Sequence, residues 1–295
     1  MKGEFAALIT AICWTFNSLS FSIAGRIVGS KTVNHIRLWI AFLAMGFINF
    51  LSFSYFFPFN APFKSIIFLS LSGFIGFAIG DAALFESLVL LGPRLSMTIM
   101  ATNPIIGAIL SFIFLNERLK PLHIIAIIVT ISAVMFVVSE KHENENFDKK
   151  KRPLGVLLAA IGSICQATGM LLSKIGLSTG LSVISGNMIR VTSGLFFIVL
   201  ISLFQKEFIN DFKSLKKIKG FLFIFIGAIL GPVLGVMLAL YAISRTQIGI
   251  ATTITSISPI LLIPLSALIY KEKVTIRMVA GTIITIAGAS ALFFI

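Results

Sequence analysis

The chain has 295 residues, of which 57% are hydrophobic and only 12% are charged, and its mean hydropathy is +1.04. An ordinary soluble domain carries about a quarter charged residues, so this composition excludes a chain built from water-soluble domains. Since a transmembrane helix needs about 20 apolar residues, about ten such helices with short loops would use the whole chain.

Apolar runs alternate with short polar breaks along the chain, which predicts an all-α membrane protein with ten transmembrane helices. The predicted spans lie near residues 4–24, 33–57, 64–91, 95–115 and 121–139, and then near 154–174, 182–204, 217–243, 248–270 and 275–295. The longest stretch without apolar character, residues 140–152, follows the fifth span. We therefore expect it to link two five-helix halves, 1–139 and 153–295.

The two halves match each other at a nearly constant offset, which indicates an internal repeat. Asn34-His35-Ile36-Arg37 recurs as Asn187-Met188-Ile189-Arg190. Further matches, all at an offset of 155, are Gly76 with Gly231, Gly80 with Gly235, Pro104 with Pro259, and Glu117-Arg118 with Glu272-Lys273. Because each half holds an odd number of spans, the two copies enter the membrane in opposite orientations. The sequence therefore predicts an inverted repeat, whose substrate path lies near the midplane where the halves meet.

The net charge of +13 arises from 24 Lys and Arg against 11 Asp and Glu. The basic residues concentrate in two polar stretches, at 149–152 and 206–219, each between apolar spans. Such loops indicate contact with an anionic lipid surface, and we expect no nucleic-acid partner.

Four charged side chains are candidates for function because a charge inside a span is costly unless it faces a cavity or a partner. Arg37 and Arg190 hold equivalent positions early in spans two and seven. Either both extend to lipid headgroups, or they line the mouth of a cavity and attract an anionic substrate group. Asp81 lies deep in span three and is either a proton or cation site or an ion-pair partner of Arg37. Glu86 lies nearer the end of that long span, at the level of the membrane interface.

Polar and aromatic residues in the middle of spans are candidates for the walls of a cavity. Asn17 and Gln166 lie in spans one and six, at the same depth as Trp14, whose indole offers an aromatic wall and a hydrogen-bond donor. Tyr241 in span eight has the same character. Side chains of this kind also bond neighbouring helices, so both roles stay open.

Pro104 and Pro259 each lie about ten residues into a predicted span. A mid-helix proline frees the carbonyl four residues earlier, here at Met100 and Thr255, and a freed carbonyl is able to bind a ligand. The alternative is a simple packing kink. The expected substrate contacts around these breaks are Asn103, Thr255 and Ser258.

The nucleotide-binding motif G-x-x-x-x-G-K-[ST] and the metalloprotease motif H-E-x-x-H are both absent. The three histidines are far apart, and Cys13 and Cys165 lie in apolar runs, so we expect no metal, cofactor or disulfide. An intramembrane enzyme needs paired catalytic groups, and Asp81 and Glu86 lie about 140° apart on a helix. The sequence therefore disfavours an ATP-driven pump and an enzyme.

The ordered, duplicated motifs NHIR and NMIR, NPIIGAILSFIFLNERL, and SPILLIPLSALIYKEKV extend over both halves. Together they resemble the EamA family of the drug/metabolite transporter superfamily over essentially the whole chain. The resemblance implies ten helices around a central cavity, alternating access, and export or exchange of amino acids, drugs or other small metabolites across the cell membrane. It also implies coupling to a proton or other gradient, and it specifies no substrate.

Three alternatives stay open at this point. The chain could be a channel or another membrane protein that transports nothing, and a saturable, gradient-coupled flux would distinguish a carrier from these. Monomer and homodimer are both compatible with the sequence. The positive-inside rule places the two basic loops in the cytoplasm and both termini outside, whereas the EamA family is usually drawn the other way.

Overall fold

The computed structural model describes residues 2–115, 121–138, 149–245, 254–270 and 274–294, and these are helical apart from short turns. The helices of the first half are α1 (Lys2–Val28), α2 (Ser30–Phe53), α3 (Phe63–Gly73), α4 (Asp81–Leu91), α5 (Pro93–Met100), α6 (Asn103–Leu115) and α7 (Pro121–Val138). Those of the second half are α8 (Arg152–Leu177), α9 (Val183–Phe204), the short α10 (Phe208–Lys213), α11 (Ile218–Ala228), α12 (Val236–Arg245), α13 (Ser258–Tyr270) and α14 (Ile276–Phe294).

The long third span of each half contains one seven-residue π-helical segment. The first π segment, Phe74–Gly80, joins α3 to α4, and the second π segment, Ile229–Gly235, joins α11 to α12. Each junction is continuous, so the chain runs as one helical rod from 63 to 91 and from 218 to 245.

Seven helical segments in the described ranges are long and apolar enough to cross a membrane. They are Gly3–Val28, Ser30–Phe53, Phe63–Leu91, Pro93–Phe114, Arg152–Leu177, Val183–Phe204 and Ile218–Arg245. The predicted fifth, ninth and tenth spans contain the shorter apolar helices Ile124–Val137, Ser258–Tyr270 and Ile276–Gly288. The all-α membrane architecture is therefore confirmed, and the count of ten spans stays a prediction.

Some predicted features lie outside the described residues. These are the acidic–basic pairs at 117–118 and 272–273, and positions 140–148 of the predicted linker.

One-residue turns join α1 to α2 and α4 to α5. Gly29 and Gly92 occupy these turns with φ values of 93° and 84°, a backbone region that glycine adopts without steric cost. The short connections bring consecutive helices side by side, and both pairs pack against each other.

The outer surface of the bundle is apolar, and its interior holds hydrogen-bonding groups. Phe47 and Phe196 are among many large apolar side chains that are exposed, as a lipid-facing surface requires. Inside, Ser72 Oγ donates to Gly169 O at 2.6 Å, which ties α3 to α8. Because lipid tails exert no hydrophobic drive between helices, close packing and such hydrogen bonds hold the bundle together.

Each half packs its first helix against the third span of the other half. Helix α1 contacts α11, the second π segment and α12, while α8 contacts α3, the first π segment and α4. The repeated glycines lie at these contacts, since a Cβ on Gly80 would lie 2.7 Å from the Cβ of Cys165, and one on Gly235 would lie 3.0 Å from the Trp14 ring. The halves are therefore interleaved, and the surface between them runs through the centre of the bundle.

A polar cluster ties the short α10 to α2 and α9. The Asp211 carboxylate accepts hydrogen bonds from Thr32 Oγ1 at 2.7 Å, Ser202 Oγ at 3.0 Å and His35 Nδ1 at 2.7 Å. Trp39 Nε1 donates to His35 Nε2 at 3.2 Å, which assigns the imidazole proton to Nδ1. Burial raises the pKa of the Asp211 carboxyl, but the bonds from His35, Thr32 and Ser202 outweigh burial and hold that pKa below its ordinary value. The bonds to Asp211 therefore stabilise the fold fully at pH values above the ordinary carboxyl pKa. This stabilisation is lost as the pH falls through the lowered pKa of Asp211.

We predict that Gly73→Ala strongly destabilises the protein. A Cβ at Gly73 would lie 2.1 Å from the backbone carbonyl oxygen of Arg190, which cannot rotate away. The expected loss is about 2–3 kcal/mol or more, because overpacking here forces α3 and α9 apart. Thermal unfolding of the purified protein in detergent measures it.

Gly107→Ala is the matched control, because a Cβ there meets nothing within 4 Å. Its effect should stay within about 1 kcal/mol, the difference in helix propensity between the two residues. Equal destabilisation by both substitutions would contradict the close approach of α3 to α9.

Candidate functional site

A cavity of about 130 Å³ lies in the centre of the bundle. In the first half its described wall comes from α1, α2, the first π segment, α4, α5 and α6, and in the second half from α8, the second π segment, α12 and residues 255–259. Since one water molecule needs about 10–15 Å³ of cavity volume measured in this way, the cavity has room for a solute of several non-hydrogen atoms. Its position between the halves agrees with the substrate path predicted from the repeat.

Most of the predicted site residues line this cavity. They are Trp14, Asn17, Arg37, Asp81, Asn103, Pro104, Gln166, Thr255 and Pro259. Among the described residues, the wall does not include Glu86, Arg190, Tyr241 or Ser258. The structure therefore brings nine predicted residues together, and their role in substrate binding stays a prediction.

Three of the remaining four have partners away from the cavity. The half-buried Glu86 accepts a hydrogen bond from Ser30 Oγ at the start of α2. Tyr241 stacks with the guanidinium of Arg245, 5.6 Å from its ring centroid. Ser258 Oγ donates to a carbonyl oxygen of α1 at 2.9 Å. The contacts of Glu86 and Ser258 join different helices, and that of Tyr241 lies within α12, so the structure places these side chains in packing positions.

Arg37 is buried in the cavity wall, with 2% of its surface exposed. Its Nη2 lies 2.5 Å from Asp81 Oδ2, and its Nε and Nη2 lie 3.0 and 2.7 Å from Asn34 Oδ1. The guanidinium also lies 4.7 Å from the ring centroid of Phe85, within cation–π distance. The predicted extension of Arg37 to the headgroups is therefore wrong, and the ion pair that was one of the two alternatives for Asp81 is present.

The Asp81 carboxylate connects the two halves. Its second oxygen, Oδ1, accepts a hydrogen bond from Gln166 Nε2 of α8 at 2.5 Å. Arg37 and Gln166 each donate to one oxygen of the carboxylate, so both oxygens have a hydrogen-bond partner. A solute that competes for the Gln166 amide would loosen this contact between the halves.

Arg190, the equivalent of Arg37 in the second half, is also 2% exposed, so its predicted extension to the headgroups is wrong as well. It lies 4.8 Å from the ring centroid of Phe77. Asp81 attracts it electrostatically, but both oxygens of Asp81 bond other residues. The second-half equivalent of Asp81 is Val236, so no carboxylate takes the corresponding place beside Arg190.

Both third spans change from α- to π-helical hydrogen bonding at the same place in the repeat. The two π segments, 74–80 and 229–235, are related by an offset of 155. Arg37 Nη2 lies 3.4 Å from Phe77 O in the first, and Asn187 Nδ2 donates to Pro232 O at 2.8 Å in the second. Phe77 and Pro232 are themselves equivalent and both line the cavity. Since π-helical turns frequently occur at functional sites, this duplicated pair makes the cavity the candidate functional centre.

The fourth predicted span is interrupted at its proline. Helix α5 ends at Met100 and α6 begins at Asn103, so Pro104 lies in the first turn of α6. Pro259 lies in the first turn of α13, which begins at Ser258. A proline in a first turn removes no intrahelical hydrogen bond, so the predicted mid-helix kink is wrong and the chain instead breaks and restarts.

The breaks before these prolines have the same hydrogen bonds in both halves. Ile105 N donates to Thr102 O at 3.0 Å, and Ile260 N donates to Ile257 O at 2.9 Å, again at an offset of 155. The turn residues Ala101 and Ser256 line the cavity. Irregular backbone at membrane depth is tolerated where it lines a cavity, which explains the position of both breaks.

Sequence reasoning missed Asn34, which accepts hydrogen bonds from Arg37, and its equivalent Asn187, which donates to Pro232 O. Asn34 and Asn187 each lie one helical turn before an arginine within the repeated N-x-I-R motif, and that repetition was the available signal. The apolar wall residues Phe77, Met97 and Met170 carry no such signal, because Phe and Met are common throughout the chain.

Comparison with known proteins is consistent with this geometry. The sequence model of the EamA-like transporter family matches residues 1–139 and 153–294, so one copy covers each half. No match is found among curated protein sequences. A solved crystal structure aligns with 99% of this chain and 98% of its own chain, at a TM-score of 0.65 and 14% identity. At that identity the likeness shows a shared fold and nothing more.

We predict that Arg37→Met destabilises the protein by about 3 kcal/mol, because it leaves the Asp81 carboxylate buried without its ion-pair partner. The double variant Arg37→Met/Asp81→Leu should recover most of that loss, since it removes both charges. Unfolding in detergent of Arg37→Met, Asp81→Leu, the double variant and the unaltered protein completes one double-mutant cycle. Strictly additive single-variant effects would contradict an energetic coupling between Arg37 and Asp81.

Proposed function

Because this chain belongs to the EamA-like transporter family, we propose that it is a secondary transporter that moves small solutes across the cell membrane by alternating access. The solutes are amino acids, related metabolites or drugs, and the direction is export or exchange. One observation carries the proposal: a single cavity is walled by both halves and holds a buried ion pair that bonds one half to the other.

The proposal includes ten membrane spans arranged as two inverted five-helix repeats, 1–139 and 153–295, joined by 140–152. Equivalent π segments and equivalent helix breaks at one offset support this arrangement. In an inverted repeat, exchange of conformation between the halves opens the central site to one side and then to the other. The π segments and the breaks are the places where the long helices are able to bend, because their backbone hydrogen bonding is already irregular.

The chemistry of the wall fits a small solute with an apolar part and a few polar groups. Trp14, Phe21 and Met170 offer apolar and aromatic surface, while Asn17 and Gln166 offer amide groups. Pockets of mainly apolar surface with a few placed polar groups are typical of small-molecule sites.

Asp81 is the proposed coupling group, as a site for a proton or another cation. Protonation of Asp81 would remove one member of the ion pair with Arg37 and weaken the bond from Gln166. The proton would therefore change the contact between the halves inside the cavity, which is what coupling of a gradient to alternating access requires.

The first step of the test is to identify a solute. Mass spectrometry of the medium from cells that express the protein, compared with cells that carry the empty vector, should show enrichment of the exported solute. The purified protein is then reconstituted in proteoliposomes with that solute and an imposed pH gradient. Saturable flux and stimulation by solute on the opposite side distinguish a carrier from a channel.

We predict that Asp81→Asn abolishes gradient-driven accumulation, because an amide does not take up the proton. Glu86→Gln is the matched control: it removes a carboxyl from the same helix outside the cavity wall, so accumulation should persist. Accumulation that responds to the pH gradient equally in Asp81→Asn and in the unaltered protein would remove Asp81 as the coupling site.

A further inference from the structure

The two equivalent arginines have unequal surroundings. Arg37 bonds Asn34 and the Asp81 carboxylate, while the second half places Val236 where the first half has Asp81. The cluster of Arg37, Arg190 and Asp81 thus carries two positive charges and one negative charge. One positive charge, on Arg190, lacks a counter-charge of its own.

The guanidinium of Arg190 is buried with unused donors. Its Nε and Nη1 have no hydrogen-bond partner among the described residues, although 98% of the side chain's surface is covered. One turn earlier on α9, Asn187 Oδ1 also has no donor within the described ranges. An unsatisfied buried donor on a charged group is strongly unfavourable, so the site as it stands is incomplete.

Arg190 lies directly behind the cavity wall. Phe77 lines the cavity, and its ring centroid lies 4.8 Å from the guanidinium carbon of Arg190 and 5.5 Å from that of Arg37. The wall residue Pro232 bonds Asn187 on the same face of α9. Phe77 therefore adjoins both the cavity and the guanidinium of Arg190, and a movement of this ring is the step that would connect the unused donors with the cavity.

We propose that Arg190 binds an anionic group, a carboxylate or a phosphate, of the transported solute. This inference rests on the proposed transport function and specifies its substrate class. The anion supplies the counter-charge that Val236 does not, and it accepts hydrogen bonds from the unused donors. Because Arg190 is covered by protein on all sides, the anion arrives through the cavity and not from lipid headgroups.

The same arrangement accommodates a cationic group on the solute. Asp81 lies on the cavity side of the cluster, so an amine would approach Asp81 while the acidic group approaches Arg190. A zwitterion would then leave the charge balance of the cluster unchanged, whereas a simple anion would neutralise it.

The test is thermal unfolding of the purified full-length chain with paired solutes that differ in one charged group. The pairs are alanine and alaninamide, butyrate and butyramide, and glycerol 3-phosphate and glycerol, so the second member of each pair has no anionic group. We expect at least one acidic member to raise Tm more than its partner without the acidic group. The measurements are repeated in nanodiscs of purely zwitterionic lipid, so that lipid phosphate at an anionic surface does not compete.

Two variants locate the site. Arg190→Met should weaken binding of the acidic solute by about 10- to 100-fold, the loss of one charge-assisted contact. Without solute its Tm should stay the same or rise, because an unpaired buried charge is removed. Arg245→Met removes the same charge from an exposed residue at the end of α12, and it should bind the acidic solute as the unaltered protein does.

Each other outcome overturns the inference. Unchanged binding of the acidic solute by Arg190→Met shows that the anion site is elsewhere. Stabilisation by neutral or cationic solutes alone refutes an anionic substrate and leaves the transport function standing. If none of these solutes is transported in proteoliposomes and the export experiment identifies no solute, both proposals are refuted.

Discussion

The burial of an arginine–aspartate pair inside an apolar bundle is the constraint on which the rest of the structure depends. A guanidinium at this depth requires acceptors for its donors, and Arg37 finds them on Asn34, Phe77 and Asp81. The carboxylate in turn takes a donor from Gln166 in the other half. Removing any of these partners leaves a buried charge unsatisfied, so the pair fixes α2, the first π segment, α4 and α8 relative to one another.

Arg37 and Asn187 reach the carbonyl oxygens of Phe77 and Pro232, which belong to the two π segments and not to α-helical backbone. The π register widens the helix locally, and the repeated glycines let the first helix of the opposite half approach that backbone closely. Packing alone would make the two halves equivalent. The exchange of Asp81 for Val236 breaks the equivalence: Arg37 is paired, whereas Nε and Nη1 of Arg190 have no hydrogen-bond partner in the part of the chain that the structure describes. The function that we propose uses this difference, because one site holds the halves together and the other binds the solute.

Much of the architecture follows from the sequence. The nearly constant offset predicts which elements are equivalent: the π segments and helix breaks are 155 residues apart, and the N-x-I-R motifs are 153 apart. The family predicted from the duplicated motifs is confirmed. The π register itself is invisible in the sequence, since Gly76 and Gly80 are equally compatible with a regular helix. The burial of the arginines is also misjudged, because a position four residues from the start of a span looks interfacial when measured along the chain. The structure shows that α10 packs over the start of α2 through Asp211, which places Arg37 deeper than its sequence position indicates.

The sequence also predicts some of the cavity residues correctly and misplaces others. Polar residues that share a depth, such as Trp14, Asn17 and Gln166, are found together because helical spans of similar length align their midpoints. Tyr241 and Ser258 are equally polar and equally deep, yet they face neighbouring helices. The sequence gives the position of a residue along its helix. The direction in which its side chain points depends on how the helix is rotated against its neighbours.

The central claim is that the cavity between the halves is the solute path, and cysteine labelling tests it most directly. In a background in which Cys13 and Cys165 are replaced by alanine, Met170→Cys places a thiol in the cavity wall, and Ile164→Cys places one on the exposed face of the same helix. We predict that a small membrane-impermeant thiol reagent labels position 170 from either side of the membrane, in intact cells and in inverted vesicles, and that the transported solute slows this reaction but does not affect position 164. Position 170 that stays unlabelled from both sides, or that reacts at the same rate with and without solute, would contradict the account.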